Sequence, residues 1–155
     1  MVLALKAQRN NRTRDHLATL RAAYVSRSPP GSYPDGVSVT AEHVCELARA
    51  LPRSSEALVR GRVKFRIGSI VYLALSADGS TMGFGFPKEW RQVQVEAEPE
   101  KFSLPSESDL RFNWLHVRLT EIDAEEMREL VEGAWAMCVP KYVAAQYAAA
   151  QREHA

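Results

Sequence analysis

Apolar and polar residues along this chain alternate with two different periods, and the clearest change of period lies between Arg111 and Pro140. Leu115, Val117 and Leu119 alternate with Trp114, His116 and Arg118, which predicts a half-buried strand. A helix start follows at once. Asp123 can accept from the amide of Glu126 while Glu126 reaches back, and Ile122 can pack on Met127, so a capping box and a hydrophobic staple are predicted together. Met127, Leu130, Val131, Ala134 and Cys138 recur at spacings of three and four as one apolar stripe, and Pro140 stops the run.

Upstream, Thr40 is placed to cap a helix carrying Val44, Leu47, Ala48 and Leu51 on one side, closed by Pro52. Three strand patterns follow between Val63 and Phe86: VKFRI, IVYLAL and TMGFGF. They are separated by Gly68-Ser69, read as a two-residue turn, and by SADGS, so they form an antiparallel meander. Pro87 opens a helix that ends before Pro99. The stretch from Lys101 to Leu110 reads as a connection, and Pro140 to about Glu153 as an alanine-rich last helix. This order predicts an α+β fold, a two-layer sandwich of helices packed on an antiparallel β-sheet.

The first 36 residues differ in kind. An Arg-rich start, a short helical pattern with Leu17, Leu20 and Tyr24, and the turn-rich SRSPPGSYPDG predict a basic, flexible extension and linker. Ordered structure is expected from Val37, so 37–155 is read as one domain. The overall charge of +1 hides this division. Residues 1–30 hold six cations against Asp15 alone, a net +5, whereas the rest of the chain holds fourteen cations against eighteen acids, a net −4. A basic tail on a mildly acidic domain suits contact with nucleic acid, but the domain lacks the strongly basic balance of a general phosphate binder.

Composition is that of a soluble globular protein, with 46% hydrophobic and 25% charged residues. Cys45 and Cys138 both fall in apolar helical patterns, which predicts free thiols in a reducing compartment and no metal-ligand spacing. VLAL at the start is too short for a signal-peptide core, and no later run approaches a membrane span, so the expected location is cytoplasmic.

Read together, VCELARALP, KFRIGSIVYLALSADG, AEPEKF, WLHVRL, EEMRELVEGAW and PKYVAAQY resemble, in this order, the MmcQ/YjbR family of small bacterial proteins. The resemblance runs from about Val37 to Tyr147 and leaves the Arg-rich start outside it. It implies an α+β fold of the double-wing DNA-binding type, also compared with secretion-chaperone folds. It implies no particular enzymatic activity, because DNA binding is attributed to such proteins on grounds of fold.

Candidate chemistry centres on RGRVKFR. Arg60, Arg62, Lys64 and Arg66 share one parity and are expected on one face of a strand, about 6.6–7 Å apart, close to the advance between phosphates on one nucleic-acid strand. Trp114, His116 and Arg118 share one parity on their own strand and would add a stacking platform if they face the same way. A solvated sheet face explains the same cations equally well. The two-residue turn also sets Arg66 opposite Val71 and Lys64 opposite Leu73, so apolar residues are expected on the basic face, covered by the C-terminal helix or by a second subunit.

Three functions fit these features. The leading one is a non-enzymatic DNA-binding domain using the basic strand. A dimeric protein-interaction or chaperone-like module that binds no nucleic acid is the alternative. A small-molecule pocket beside Gly83 and Gly85, whose missing side chains leave a bare strip, is the third, against which close packing on a helix is the simpler account. Catalysis has little to start from. His43 and Cys45 diverge on their helix, His116 has no evident partner, and the acids from Glu121 to Glu126 are explained by helix capping. No cofactor, metal or membrane partner is expected.

Overall fold

The computed structural model describes residues 38–154. The basic extension expected over 1–36 lies outside the described residues. Among the described residues four α-helices pack on a six-stranded antiparallel sheet, an α+β architecture of two layers as the periodicities require.

Helix α1 (Ala41–Ala50) starts where Thr40 predicts it. The Thr40 hydroxyl accepts from the His43 amide at 3.3 Å, and the Thr40 amide donates to His43 Nδ1 at 3.2 Å, a reciprocal cap with histidine in the usual Glu/Gln place. The buried side of α1 carries Val44, Cys45 and Ala48.

A strand that periodicity does not announce follows: β1 (Ser54–Val59). Its residues are mostly exposed because it is an edge strand, so no alternation of apolar and polar positions marks it. Arg60-Gly61 joins it to β2 (Arg62–Ile67), with φ of +53° and +74°, the left-handed pair that a tight hairpin turn needs. Glycine supplies the second position without strain.

Beyond Gly68-Ser69, β3 (Ile70–Leu75) pairs with β2 in the expected register only at first. Ile67 faces Ile70 and Arg66 faces Val71, but the register then shifts, so that Phe65 faces Leu73 and Lys64 faces Ala74. Tyr72 is left without a partner on β2. This bulge corrects the expected pairing of Lys64 with Leu73: one extra residue on β3 moves Leu73 onto the side of Phe65. Tyr72 is fully buried, and its hydroxyl lies 2.6 Å from that of Ser54.

The SADGS turn is closed by Asp78, whose Oδ1 accepts from the Ser76 hydroxyl at 2.7 Å and from the Ser80 hydroxyl and amide at 2.8 and 3.1 Å. These donors hold its carboxyl down at about 2. Strand β4 (Thr81–Gly85) leads to α2 (Lys88–Ala97), which follows Pro87 as predicted and has no fully buried residue. The stretch read as a mere connection contains β5 (Phe102–Ser103), anchored by buried Phe102 against the ring of Phe84 at 6.5 Å. Strand β6 (Trp114–Arg118) then inserts between β4 and β5, giving the order β1-β2-β3-β4-β6-β5.

Helix α3 (Ala124–Ala136) is capped by Asp123, which accepts from the Glu126 amide at 2.8 Å. The expected return bond from Glu126 does not form. Its carboxylate turns instead to Lys101 at 3.2 Å, a charge-assisted contact stronger than a bond to a neutral amide. Met127, Val131 and Ala134 are buried as the stripe predicts, and so is Trp135, whose indole donates to the Pro52 carbonyl at 2.8 Å. Leu130 and Cys138 are half-buried. Helix α4 (Lys141–Glu153) begins after Pro140 and returns Tyr147 onto Trp135 with ring centroids 5.1 Å apart. Helix α3 packs on β3, β4 and α1, while α2 packs on β5 and β6. Phe65, Leu73, Leu75, Met82, Phe84, Phe102, Leu115 and Val117 form the buried side of the sheet.

Candidate nucleic-acid interface

The period of two sends Arg62, Lys64 and Arg66 to the side of β2 opposite buried Phe65. Arg60 does not join them, because it sits in the β1–β2 turn and not on a strand. The expected row of four is therefore three strand cations and one at the hairpin tip.

Register decides which other residues share this face. Lys64 stands opposite Ala74, Ala74 opposite Gly83, Gly83 opposite His116, and His116 opposite Ser103. Directly opposed residues point to the same side, so Lys64 and His116 lie on one rung, three strands apart, about 14 Å at ordinary strand spacing. The bulge at Tyr72 keeps Leu73 off this rung. Trp114 and Arg118 flank His116 on the same side of β6, so the two sets of candidates do share a face.

Between them the floor is low, built from Ala74 and Gly83. The Trp114 indole lies over Gly83: a Cβ added there would sit 2.7 Å from Trp114 Nε1, closer than side chains pack. Only glycine allows the ring to rest on the sheet. Gly85, opposite Trp114 and so on the same side as Gly83, lies against α3, where an added Cβ would stand 3.5 Å from that of Ala134. The bare strip expected at the two glycines is thus filled by Trp114 at one and by the helix at the other, which leaves no space there for a small ligand.

Among the described residues, ion pairing engages some of the surface cations and leaves others, including those of this face, without an acidic partner. Arg49 is bound by Glu56 at 2.6 Å, Lys101 by Glu98 and Glu126 at 3.0 and 3.2 Å, and Arg128 by Glu132 at 3.5 Å. Among the described residues, Arg62, Lys64 and Arg66 make no such ion pair. Arg118 reaches the Glu100 carbonyl at 3.4 Å. Burial lowers the pKa of His116 below its usual value, and the nearby charge of Asp109 partly opposes this. The face thus offers three uncompensated cations, a low neutral floor, and an aromatic ring beside a neutral histidine.

Sequence reading missed Ala74 as the floor and Asp109 as the neighbour of His116. Neither carries a local signal, since each acquires its place only through pairing or loop packing. Among the described residues, no group of three or more His, Cys, Asp or Glu side chains is placed to hold a metal ion. No helix among them is long and apolar enough to cross a membrane.

The fold defines a two-layer α+β domain with one sheet face sealed by helices and the other only partly covered among the described residues. A solved structure with this arrangement is that of Deinococcus radiodurans protein DR2400, a domain of the DUF419 family model. The TM-score is 0.56 at 19% identity, over 63% of this chain and 77% of that one, a likeness of fold. No family model matches the sequence, and no curated protein does.

Proposed function

We propose that this is a non-enzymatic, cytoplasmic domain of the MmcQ/YjbR type that binds nucleic acid on its open sheet face. The family assignment draws on the sequence resemblance and on DR2400, since DUF419 falls in the YjbR/MmcQ-like group. The single observation that carries the binding mode is the rung from Lys64 to His116, which sets unpaired cations and the half-exposed Trp114 on one face across a floor of Ala74 and Gly83. Arg62, Lys64 and Arg66 would follow one phosphate backbone while Trp114 stacks on a base and Arg118 extends the cationic rim. The tip cation Arg60 would reach beyond the face.

Fluorescence anisotropy with labelled duplex and single-stranded DNA at two salt concentrations tests this reading. On duplex DNA each neutralised phosphate contributes about 0.9 to the slope of log affinity on log salt, so Arg62→Glu with Lys64→Glu should flatten it by about 1.8 and weaken binding at low salt. An unchanged slope would remove β2 as the site. Absence of binding by the wild-type protein would favour the competing reading, a protein-interaction module of chaperone-like fold.

A further inference from the structure

The two edges of the sheet are unlike. One is β5, two residues long, and short edges resist pairing. The other is β1, which pairs with β2 without interruption over six residues, from Ser54↔Ile67 to Val59↔Arg62, and has no strand on its outer side among the described residues. Its sequence, SSEALV, holds no lysine, no proline and no bulge to discourage a further strand. Glu56, its one charge, is already neutralised by Arg49. Leu58 is 74% exposed, and Val59 beside it is also open. Such an edge presents a regular row of backbone donors and acceptors together with apolar surface.

We infer that β1 pairs antiparallel with β1 of a second copy about a two-fold axis at Ala57, joining two open faces into one. A two-fold axis that brings a sheet edge antiparallel to itself must run perpendicular to the sheet, so both copies keep their helices on one side and their open faces on the other. Opposed residues must also point the same way, so the axis passes through a residue and not between two. Centring on Glu56 would oppose two like charges. Centring on Ala57 opposes two small side chains, sets Ser55 against Val59 of the copy and Glu56 against Leu58 of the copy, and leaves no like-charge rung.

This register extends the rung already described. Ala57 faces Lys64 within one chain, so the line runs from His116 through Gly83, Ala74 and Lys64 to Ala57, then outward again through the second copy. The two rows of Arg62, Lys64 and Arg66 would lie about 14 Å apart, three strand spacings. That separation is comparable to the width of the DNA major groove, about 12 Å, so each row could follow one backbone of a duplex. The doubled row rests on the binding function proposed above; the dimer does not.

Sedimentation of the full chain at micromolar concentration should give a dimer. Leu58→Glu alters an exposed residue on the helix side, opposite Glu56 of the copy, and should yield a monomer with unchanged circular dichroism. Its duplex-DNA salt slope should fall to about half of the wild-type value, since half the phosphate contacts are lost. Ala57→Cys should cross-link readily under mild oxidation, with wild type as control for Cys45 and Cys138, whereas Ser55→Cys should not. A monomeric wild type, or a Leu58→Glu variant that remains dimeric, overturns the interface. Cross-linking through Ser55→Cys in preference to Ala57→Cys overturns the register. If the protein dimerises as stated but binds no DNA, the binding function fails while the interface stands.

Discussion

The two faces of one sheet have been built to opposite rules. On the helix side every strand from β2 to β6 contributes large apolar residues, and Phe65, Leu73, Met82, Leu115 and Val117 are fully buried. On the open side the same strands contribute Lys64, Ala74, Gly83 and His116. The first face is fixed by volume, because close packing penalises any missing methylene. The second is fixed by register, because among the described residues it is only partly covered and the pairing of strands brings its residues into line. Stability should therefore reside on one face and binding on the other.

Substitutions on the two faces separate these roles. Phe65→Ala should have the largest effect, destabilising by about 3–5 kcal/mol in denaturant unfolding, because a buried ring is replaced by a cavity. Lys64→Ala, the next residue on the opposite face, should change unfolding by no more than about 0.5 kcal/mol while weakening DNA binding at low salt. Equal destabilisation by the two would end the division between the faces.

Trp135→Phe should cost about 1–3 kcal/mol, since it leaves the Pro52 carbonyl without its donor. Trp114→Phe has no such bond to lose and should leave stability nearly unchanged while reducing affinity for single-stranded DNA, read by anisotropy. Gly83→Ala should displace the Trp114 ring, seen as a shift in tryptophan emission, with a small loss of stability because the ring lies at an open surface.

The smallest effect expected is one of pH. Burial holds the His116 pKa in the folded protein below the unfolded value of 6.5. Both states are neutral above that value, so there the group has no effect. As pH falls through 6.5 the unfolded chain binds the proton first, and stability declines until the folded state is also protonated. Unfolding curves of wild type and His116→Gln should coincide above neutrality and diverge below pH 6.5, with the wild type losing more. Parallel curves would mean that His116 is solvated on the open face.

Much of the helix side was legible in the sequence. Thr40, Asp123 and the Met127 to Ala134 stripe set α1 and α3 because caps and a period near 3.6 are local signals. Strand β1 was not legible, since an edge strand exposed on both sides has no pattern to read. For the open face, parity alone put Arg62 with Lys64 and Arg66, and Trp114 with His116 and Arg118. Whether the two sets met depended on an even or odd count of residues through β3, and the bulge at Tyr72 changed that count.

By itself, then, the sequence determined which segments are helices, which alternate as strands, and that helices must cover an antiparallel sheet. These follow from interactions within a few residues of each other along the chain. Tertiary structure alone decided that Arg60 lies in a turn, that Glu126 turns to Lys101, that Ala74 and Gly83 form the floor, and that β1 is the edge strand among the described residues. Each depends on the register or contact of segments far apart in the chain, which a single bulged residue can shift without altering any local pattern.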